Sequence, residues 1–497
     1  MGENINHREF SRGDRAEFRI KAQRCLDALT QMLADGAFEA GEPLLGMEVE
    51  LNLVDEDMQP AMANAEVLAA IADPDFQTEL GQFNIEINVA PRPFETDETL
   101  ALERNLRASL NAAEAQAEAQ GRHLVMVGML PTLRQEHFHR QWLSNNPRYD
   151  LLNQQIFALR GEDIELAIDG VPMPGSTAER LAITTDSILP EAACTSVQLH
   201  LQVEPDAFAA HWNAAQCLAG VQVALAANSP FLAGSALWHE SRIPVFEQAT
   251  DTRSPELRNQ GVRPRVWFGE RWITSIFDLF EENSRYFPAL LPVCSDEDPL
   301  VELDAGRTPG LHELKMHNGT VYRWNRPVYD TSSGTPHLRI ENRVLPAGPS
   351  VLDTMADAAF YYGVLRALVN SERPLWTQMS FDAAAENLHN GAREGLAAQL
   401  YWPEVGWVRA DELVLRKLLP MAHEGLQALG VSGRAIDRYL GVIEGRCQSR
   451  RTGSVWQREC VAKLERSGLG RTEALAQMLR SYTEGMHADE PVHAWAL

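Results

Sequence analysis

The sequence predicts an α+β fold, with an antiparallel sheet flanked by helices and then a mainly helical carboxy-terminal part. Two observations indicate this division. Runs with strand-like alternation lie at 44–54, 82–90, 123–130, 195–203 and 337–345. Beyond about residue 350 the strand patterns fade and helical patterns dominate. We therefore expect residues 1–350 to form an α+β unit and residues 351–497 to form helices packed on the same body.

Helical patterns lie between and after the strand-like runs. Apolar residues from about 13 to 35 recur at helical spacing, and this helix is expected to end at Asp35-Gly36, because glycine favours helix C-termini. A stretch rich in Ala, Glu and Gln predicts a second helix from about 97 to 120. In the carboxy-terminal part, a loop that contains Tyr401-Trp402-Pro403 and Val405-Gly406-Trp407 interrupts the helical pattern.

The composition limits the classes of partner. The 497 residues include 44 Lys and Arg against 69 Asp and Glu, a formal net charge of -25, which disfavours nucleic acids and anionic membranes. No basic amino-terminal segment precedes a long apolar run, and no apolar stretch is long enough to span a membrane, so a cytoplasmic protein is expected. The six cysteines are scattered without a Cys-x-x-Cys pair, as is typical of reduced thiols. Small molecules are therefore the expected partners, and the oligomeric state stays open.

Four of the strand-like runs share one polar pattern. Side chains two apart on a strand point to the same face, so each run separates a polar face from a mainly apolar one. The polar faces carry Glu48 and Glu50 in the first run, Asn84, Glu86 and Asn88 in the second, Gln198, His200 and Gln202 in the third, and Arg339, Glu341 and Arg343 in the fourth.

The residue types on these faces favour a metal site. Any single run is equally typical of an antiparallel sheet with one face in water, which is the simpler interpretation. In combination, however, several carboxylates on one face would repel one another unless a cation lay among them. Oxygen-rich ligands of this kind indicate magnesium or manganese and argue against zinc.

Other motifs for nucleotide or hydrolase chemistry are missing. The sequence contains neither the glycine-rich phosphate loop with Lys and Ser or Thr nor the Gly-x-Gly-x-x-Gly fingerprint. His312-Glu313 with His317 lacks the spacing of a zinc protease helix, and no Gly-x-Ser-x-Gly elbow is present.

These residues resemble the glutamate–cysteine ligase family, in its bacterial carboxylate–amine ligase branch. The similar motifs occur in the family's order from about residue 44 to 460. They are Gly46-x-Glu48-x-Glu50, Asn84-x-Glu86-x-Asn88, Gly128-Met129-Leu130-Pro131-Thr132, Gln198-x-His200, Asn228-Ser229-Pro230, Ser241-Arg242, Asp251-x-Arg253, Arg339-x-Glu341-x-Arg343, Thr452-Gly453 and Trp456-Gln457.

The resemblance implies a glutamine synthetase-like fold, whose curved antiparallel sheet holds ATP, magnesium (or manganese) ions and an amino-acid carboxylate. The residue roles that it implies fall into four groups. They are metal ligation by Glu48, Glu50, Glu79, Glu86, His200 and Glu341, contact with the transferred phosphate by Arg339 and Arg343, nucleotide binding by Gln198, His200 and Asn88, and substrate binding by Arg242, Arg253 and Asn84.

The implied activity is an ATP- and Mg²⁺-dependent carboxylate–amine ligase that forms an amide through an acyl phosphate. The expected product is a γ-glutamyl compound, with γ-glutamylcysteine and glutathione biosynthesis as its best-known setting. Three alternatives stay open: a guanidino-type phosphotransferase, a metal-dependent hydrolase and a non-catalytic nucleotide or metal sensor. Neither the identity of the amine nor the true carboxylate substrate follows from the sequence.

Overall fold

A seven-stranded sheet lies at the centre of the molecule. The computed structural model describes residues 9–39, 41, 43–332, 334–488 and 490–497. The strands of this part are Leu45–Asp55 (β1), Phe76–Thr78 (β2), Asn84–Arg92 (β3), Arg122–Val125 (β4), Ile164–Asp169 (β5), Arg180–Thr185 (β6), Ser196–Gln202 (β7), Phe231–Leu232 (β8), Ser235–Ala236 (β9), Val266–Trp267 (β10), Tyr322–Arg323 (β11), Asn325–Asp330 (β12), His337–Pro346 (β13), Gln399–Trp402 (β14) and Gly406–Arg409 (β15). The order in the central sheet is β12-β13-β7-β1-β3-β2, β4 pairs with β1, and every pairing is antiparallel.

Helices cover this sheet and form most of the chain after β13. Their bounds are Arg12–Asp35 (α1), Asn64–Ile71 (α2), Glu98–Glu118 (α3), Pro147–Arg160 (α4), Leu189–Ala192 (α5), Pro205–Ala226 (α6), Arg242–Ala249 (α7), Pro255–Asn259 (α8), Ile276–Tyr286 (α9), Pro299–Asp304 (α10), His312–Asn318 (α11), Val351–Val369 (α12), Phe381–Glu394 (α13), Ala410–Leu413 (α14), Leu419–Ala428 (α15), Gly433–Ser449 (α16), Gly453–Arg466 (α17) and Arg471–His487 (α18). The predicted α+β class, with an antiparallel sheet flanked by helices, is confirmed. None of the helices in the described ranges is both long and apolar enough to cross a bilayer.

The four strands with the shared polar pattern are neighbours in the sheet, in the order β13-β7-β1-β3. Their register sets polar residues side by side: Glu50 lies opposite Glu86, and Glu48 lies opposite Gln198. On the next pair, His200 lies opposite Glu341. Local alternation therefore produces one continuous polar face across four strands.

The opposite face of the sheet packs against helices. Met47, Val49 and Leu51 of β1 are buried there, and α6 packs on β13 while α12 packs on α6. Helix α12 also crosses α15 at two glycines, where a Cβ atom added to Gly425 would lie 1.8 Å from the carbonyl oxygen of Gly363. The two backbones can approach this closely because neither residue has a side chain.

Three local predictions need correction. The run at 123–130 is a strand only to Val125, and the buried segment after it has no regular structure. The predicted loop around 401–407 is the hairpin β14–β15. Strand β12 was not predicted, because Pro327 argues against a strand, but β12 is an edge strand, where proline is tolerated.

The carboxy-terminal helices are bound to the centre of the molecule through Asn228. Its side-chain amide nitrogen donates to the Ala347 carbonyl oxygen and to the Tyr482 hydroxyl, at 2.8 Å each. Its side-chain oxygen accepts from Gln457 Nε2 at 2.9 Å. Two of the motifs shared with the ligase family thus meet at a buried hydrogen-bond cluster. The division of the chain near residue 350 stays a prediction.

Candidate active site

The polar faces of the four strands line a cavity of about 420 Å³, here called the main cavity. Its walls come from the central sheet, including the edge strand β12, and from helices α4, α9 and α11. The lining residues that carry charge or a titratable group are Glu48, Glu50, Glu79, Glu86, Arg148, His312, Lys315, Arg326, Tyr329, Asp330, Arg339, Glu341 and Arg343. The sheet therefore gathers both acids and arginines around one space.

Three carboxylates form a cluster at one end of the main cavity. Glu50, Glu79 and Glu86 can each offer one oxygen, and these oxygens all lie within 4.8 Å of one another. Burial raises the pKa of Glu50 to about 7 and that of Glu86 well above its usual value, and the neighbouring Glu79 carboxylate adds to both shifts. Such mutual destabilisation of negative charge would be relieved by a bound cation.

His200 connects an arginine to a carboxylate. Arg339 Nε donates to His200 Nδ1 at 3.1 Å, and His200 Nε2 lies 3.1 Å from Glu48 Oε1. Burial alone would raise the pKa of Glu48, but the His200 ring lowers it below its usual value. Glu48 is therefore held ionised beside the carboxylate cluster.

Glu341 lies between two arginines. One Arg326 nitrogen lies 2.7 Å from the Glu341 carboxylate, and Arg343 donates to the same carboxylate and to Gln198. Although burial opposes ionisation, Arg326 and then Arg343 lower the pKa of Glu341 well below its usual range. Gln198 in turn donates to Glu50 at 2.8 Å, so the arginine side and the acidic side of the cavity are joined by hydrogen bonds.

A smaller space of about 60 Å³ adjoins the main cavity behind Glu50, Glu79 and Arg343, and is called the inner chamber here. Asn84, Glu191, Cys194, Arg242 and Trp324 also line it. Four buried polar atoms at its wall have no hydrogen-bond partner among the described residues. They are Asn84 Oδ1, Glu191 Oε2, Arg242 Nε and Trp324 Nε1. The inner chamber therefore presents both acceptors and donors to whatever enters it.

Arg242 and Asn84 line the inner chamber, and each has some hydrogen-bonding atoms paired within the protein and one atom without a partner among the described residues. Arg242 pairs with Glu240 at 3.1 Å and donates to the backbone oxygens of Arg343 and Val344. Asn84 donates to Asn52 at 3.1 Å, and its own side-chain oxygen has no partner among the described residues.

Three predicted site residues are not among the described lining of either space: His200, which contacts the lining residues Glu48 and Arg339, and also Asn88 and Arg253. Asn88 donates to Glu86 at 3.1 Å and is not among the residues that line the main cavity. Arg253 is paired with Asp251 at 2.8 Å and donates to the Val262 carbonyl oxygen. Neither cavity includes Arg253 in its described lining, so its predicted contact with substrate has no geometric support here.

Two candidate residues were missed from the sequence. Arg326 lies on β12, which was not predicted as a strand because it contains Pro327. Arg326 is therefore not part of any of the predicted polar faces. Glu191 lies in the short helix α5, just before β7 but outside the alternating run that carries Gln198 and His200. Burial raises the pKa of Glu191 to about 8, and no local spacing signals that a lone glutamate will be enclosed in this way.

Comparisons with known proteins identify the family. The family model of glutamate–cysteine ligase family 2 matches residues 44–478. The glutamate–cysteine ligase of Francisella tularensis, in complex with AMP, has a TM-score of 0.54 at 11% identity and covers 91% of each chain. A bifunctional glutathione synthetase from Pasteurella multocida has a TM-score of 0.45 at 11% identity, over 94% of this chain and 55% of that chain. No curated relative matches the sequence at a significant level.

The likeness to the Francisella protein shows that the two chains share a fold. The family match covers most of this chain and confirms the resemblance carried by the strand motifs. The chain belongs to glutamate–cysteine ligase family 2, and it is an enzyme of the carboxylate–amine ligase class.

Proposed function

We propose that this enzyme uses ATP and Mg²⁺ to join the γ-carboxylate of glutamate to an amine, with cysteine as the first candidate amine. One observation carries the proposal: a cluster of three carboxylates and a group of arginines line the same cavity across four adjacent strands. That combination suits the transfer of a phosphoryl group to a carboxylate, since both partners are negatively charged and must be brought together.

The reaction requires two steps. In the first, an oxygen of the substrate carboxylate attacks the γ-phosphorus of ATP, the bond to the β-phosphate oxygen breaks, and an acyl phosphate and ADP form. In the second, the amine attacks the acyl carbon, phosphate leaves, and the amine loses a proton to give the amide. Arg343, Arg339 and Arg326 are suited to neutralise the phosphate oxygens in both steps.

The acidic residues fit a divalent cation. Glu50, Glu79 and Glu86 supply carboxylate oxygens within reach of a common centre. The ionised Glu48 lies on the same strand as Glu50, and the ionised Glu341 lies on β13 and lines the same cavity. This all-oxygen donor set is the one that Mg²⁺ or Mn²⁺ prefers. When bound, the cation would neutralise phosphate charge and so favour phosphoryl transfer. His200 and Glu48 would complete the site from the side that faces Arg339.

The inner chamber fits the head group of an amino acid. An ammonium group would find acceptors in Glu191 and in the Asn84 side-chain oxygen, and a carboxylate would find donors in Arg242 and Trp324. These groups are buried, so leaving them unpaired costs free energy that a zwitterion would recover. Because the chamber opens beside Glu50 and Arg343, the other end of a glutamate would extend towards the main cavity.

A nucleotide in the main cavity is supported by the structural relative. The Francisella protein is described in complex with AMP, and this chain shares its fold. We infer that Gln198, His200 and Asn88 lie on the nucleotide side, although Asn88 would reach the nucleotide only if it moved away from Glu86.

One incubation tests the proposal against its rivals. The enzyme is mixed with ATP, Mg²⁺ and a panel of amino acids, and ADP, phosphate and new masses are followed together. A ligase forms ADP, phosphate and an amide in equal amounts, and only when an amine is present. A guanidino-type phosphotransferase forms ADP and a phosphorylated acceptor without an amide, whereas a hydrolase consumes substrate without any amine. A γ-glutamyl product would support glutamate, and ligation of a different acid would reject glutamate alone.

The same assay tests the metal. Activity should disappear after treatment with EDTA and return with Mg²⁺ or Mn²⁺, while a chelator selective for zinc should have no effect. Full activity in metal-stripped enzyme without added divalent cation would reject the proposed metal site.

A further inference from the structure

A third space lies on the other face of the central sheet. It measures about 350 Å³ and is called the back cavity here. Leu45 of β1 and Leu201 of β7, which are partners in the sheet register, form one wall. Since Glu48 and His200 occupy alternate positions on the same strands, these leucines point away from the main cavity. The back cavity is therefore separated from the candidate active site by the thickness of the sheet.

The remaining walls are mainly apolar. Phe94, Tyr362, Leu365 and Leu429 line the cavity, and their rings and branched side chains suit a flat or branched apolar body. A volume of this size lies in the range of about 300–1,000 Å³ that small-molecule sites occupy in proteins.

Two polar groups give the cavity a chemical preference. Arg366 lines the cavity, and its Nε atom is buried without a hydrogen-bond partner among the described residues. His211 also lines it, and the hydrogen bond of 2.9 Å between His211 Nδ1 and the Ala207 carbonyl oxygen fixes the proton on Nδ1. Burial lowers the pKa of His211, and Arg366 acts in the same direction. The fixed positive charge in the cavity therefore belongs to Arg366.

Glu95 is the acidic residue at this site. It lines the cavity but is partly exposed, so water screens its charge more than that of a buried acid. An anion held by Arg366 would also satisfy the buried Nε atom, which otherwise has no partner.

We propose that the back cavity is a second ligand site, which binds a small organic anion with an aromatic or branched aliphatic body. The anionic group would pair with Arg366, and the apolar body would pack on Leu45, Leu201 and Tyr362. The site has a direct link to the other face of the sheet, because the Tyr362 hydroxyl donates to the His200 carbonyl oxygen at 3.2 Å. An occupant that moves Tyr362 acts on the strand that carries His200, so the site is suited to regulation.

The binding test uses 1-anilinonaphthalene-8-sulfonate, an aromatic sulfonate whose fluorescence increases in apolar surroundings. The full-length enzyme should bind one equivalent with a marked rise in emission. Arg366→Gln should weaken binding at least tenfold, because the anion loses its partner. Ala428→Phe should abolish binding, since Ala428 lines the cavity and is exposed enough for a larger side chain to close the mouth without disturbing the core. Arg104→Gln, on the exposed side of α3, is the matched control and should bind as the parent does.

The folding of each variant and its binding of the sulfonate are measured separately. Circular dichroism melting establishes that each variant is folded, and if Ala428→Phe does not fold, Arg366→Gln decides alone. Unchanged binding in a folded Arg366→Gln variant overturns the proposal, as does the absence of binding to the parent enzyme.

The regulatory link rests on the proposed function and has its own measurement. Saturating sulfonate should change the rate of amine-dependent ADP release at least twofold in the parent enzyme and leave the Ala428→Phe variant unaffected. Equal effects on both would reject the link through Tyr362. If neither enzyme forms ADP with any amine, the ligase function fails, while the binding result stands by itself.

Discussion

Glu341 and Arg326 face each other across the β12–β13 pair, and the Glu341 carboxylate lies 2.7 Å from the Arg326 guanidinium. Arg343 contacts the same carboxylate from its own strand. One buried negative charge therefore orients two arginines that both line the main cavity. Two arginines for one carboxylate leave a net positive charge beside the cluster of acids. In the proposed reaction, phosphate and carboxylate are brought together at this place.

Removing the charge of Glu341 should impair catalysis without unfolding the protein. Glu341→Gln keeps the shape of the side chain but leaves both arginines without their shared partner. We expect turnover to fall by at least about a hundredfold, as is typical when a preorganised electrostatic group is lost. The apolar packing of Leu338 and Ile340 on the other face is unchanged, so circular dichroism melting should show a folded protein. Glu66→Gln, on the exposed surface of α2, is the control, and near-normal kinetics in folded Glu341→Gln would contradict the site assignment.

Replacing Arg343 by lysine should also lower turnover, by at least about tenfold. Lysine keeps the charge, but a point charge cannot make the two-pronged contact of a guanidinium with phosphate, nor hold Gln198 and Glu341 at once. Steady-state kinetics with varied ATP measures the effect. Arg104→Lys controls for the substitution itself, and parent-like rates for Arg343→Lys would show that this arginine only supports the sheet.

The raised pKa of Glu50 makes the stability of the metal-free enzyme depend on pH. Burial, with the Glu79 carboxylate, raises this pKa from 4.5 to about 7, so within that window the folded protein holds a proton that the unfolded chain releases. The folded state then binds more protons, and the free energy of unfolding falls as the pH rises through the window. Glu86 acts in the same direction.

Calorimetry in EDTA across that pH range measures this slope. Glu50→Gln should flatten it, because the amide does not titrate, and Mg²⁺ should protect the parent more strongly at the upper end, where protons no longer compete with the cation. Identical slopes in parent and variant would contradict the assigned pKa shift.

The glycine contact between α12 and α15 predicts a large effect of one methyl group. In Gly425→Ala, the new Cβ atom would meet the Gly363 carbonyl oxygen, and we expect a loss of about 2 kcal/mol, typical of overpacking. Gly441→Ala is the matched control, since nothing lies within 4 Å of its Cβ position in α16. That variant should gain about 0.5–1 kcal/mol from the higher helix propensity of alanine. Equal denaturant midpoints for the two variants would show that α12 and α15 can move apart without a loss of stability.

Cys194 should be dispensable although it lines the inner chamber. Burial raises the pKa of its thiol far above the usual value, so no thiolate is available for attack, and the proposed reaction uses a substrate carboxylate as nucleophile. Cys194→Ala should therefore retain turnover within about threefold. All six cysteines are free thiols, and the same result is expected for each of the others. A folded Cys194→Ala variant without activity would favour a covalent mechanism.

The sequence predicted the structure best where side-chain positions repeat every two residues, as they do along a strand. Alternation at Glu48 and Glu50, or at Glu341 and Arg343, depends on neighbours two residues away, and these faces appear in the sheet as expected. The order of the strands, by contrast, depends in part on long-range pairings, since β1 pairs with β7 and β7 with β13 between residues more than a hundred positions apart. No local pattern contains that information; the shared polar residue types and the family motifs together suggested that the four polar faces would meet.

Residues that enter the site from irregular or exceptional elements could not be found in this way. Arg326 was missed because proline normally excludes a strand, and its position at the sheet edge is a property of the whole fold. Glu191 was missed because the enclosure of one glutamate depends on segments distant in the chain. The predicted substrate contact of Arg253 comes from a motif position alone, and in the structure its side chain is paired with Asp251. The roles of all these residues stay predictions.

The hydrogen-bond cluster around Asn228 determines whether the helical part of this enzyme can be separated from the α+β part. Asn228 joins Gln457 of α17 and Tyr482 of α18 to the chain that leaves β13 at Ala347. A fragment that ends near residue 350 would lose Gln457 and Tyr482. The Asn228 side chain would then keep the Ala347 carbonyl oxygen as a partner, but its own oxygen would lose the Gln457 donor. We therefore expect that the helical part cannot be exchanged between relatives as an independent module. Chimaeras should succeed only when Asn228, Gln457 and Tyr482 come from the same parent.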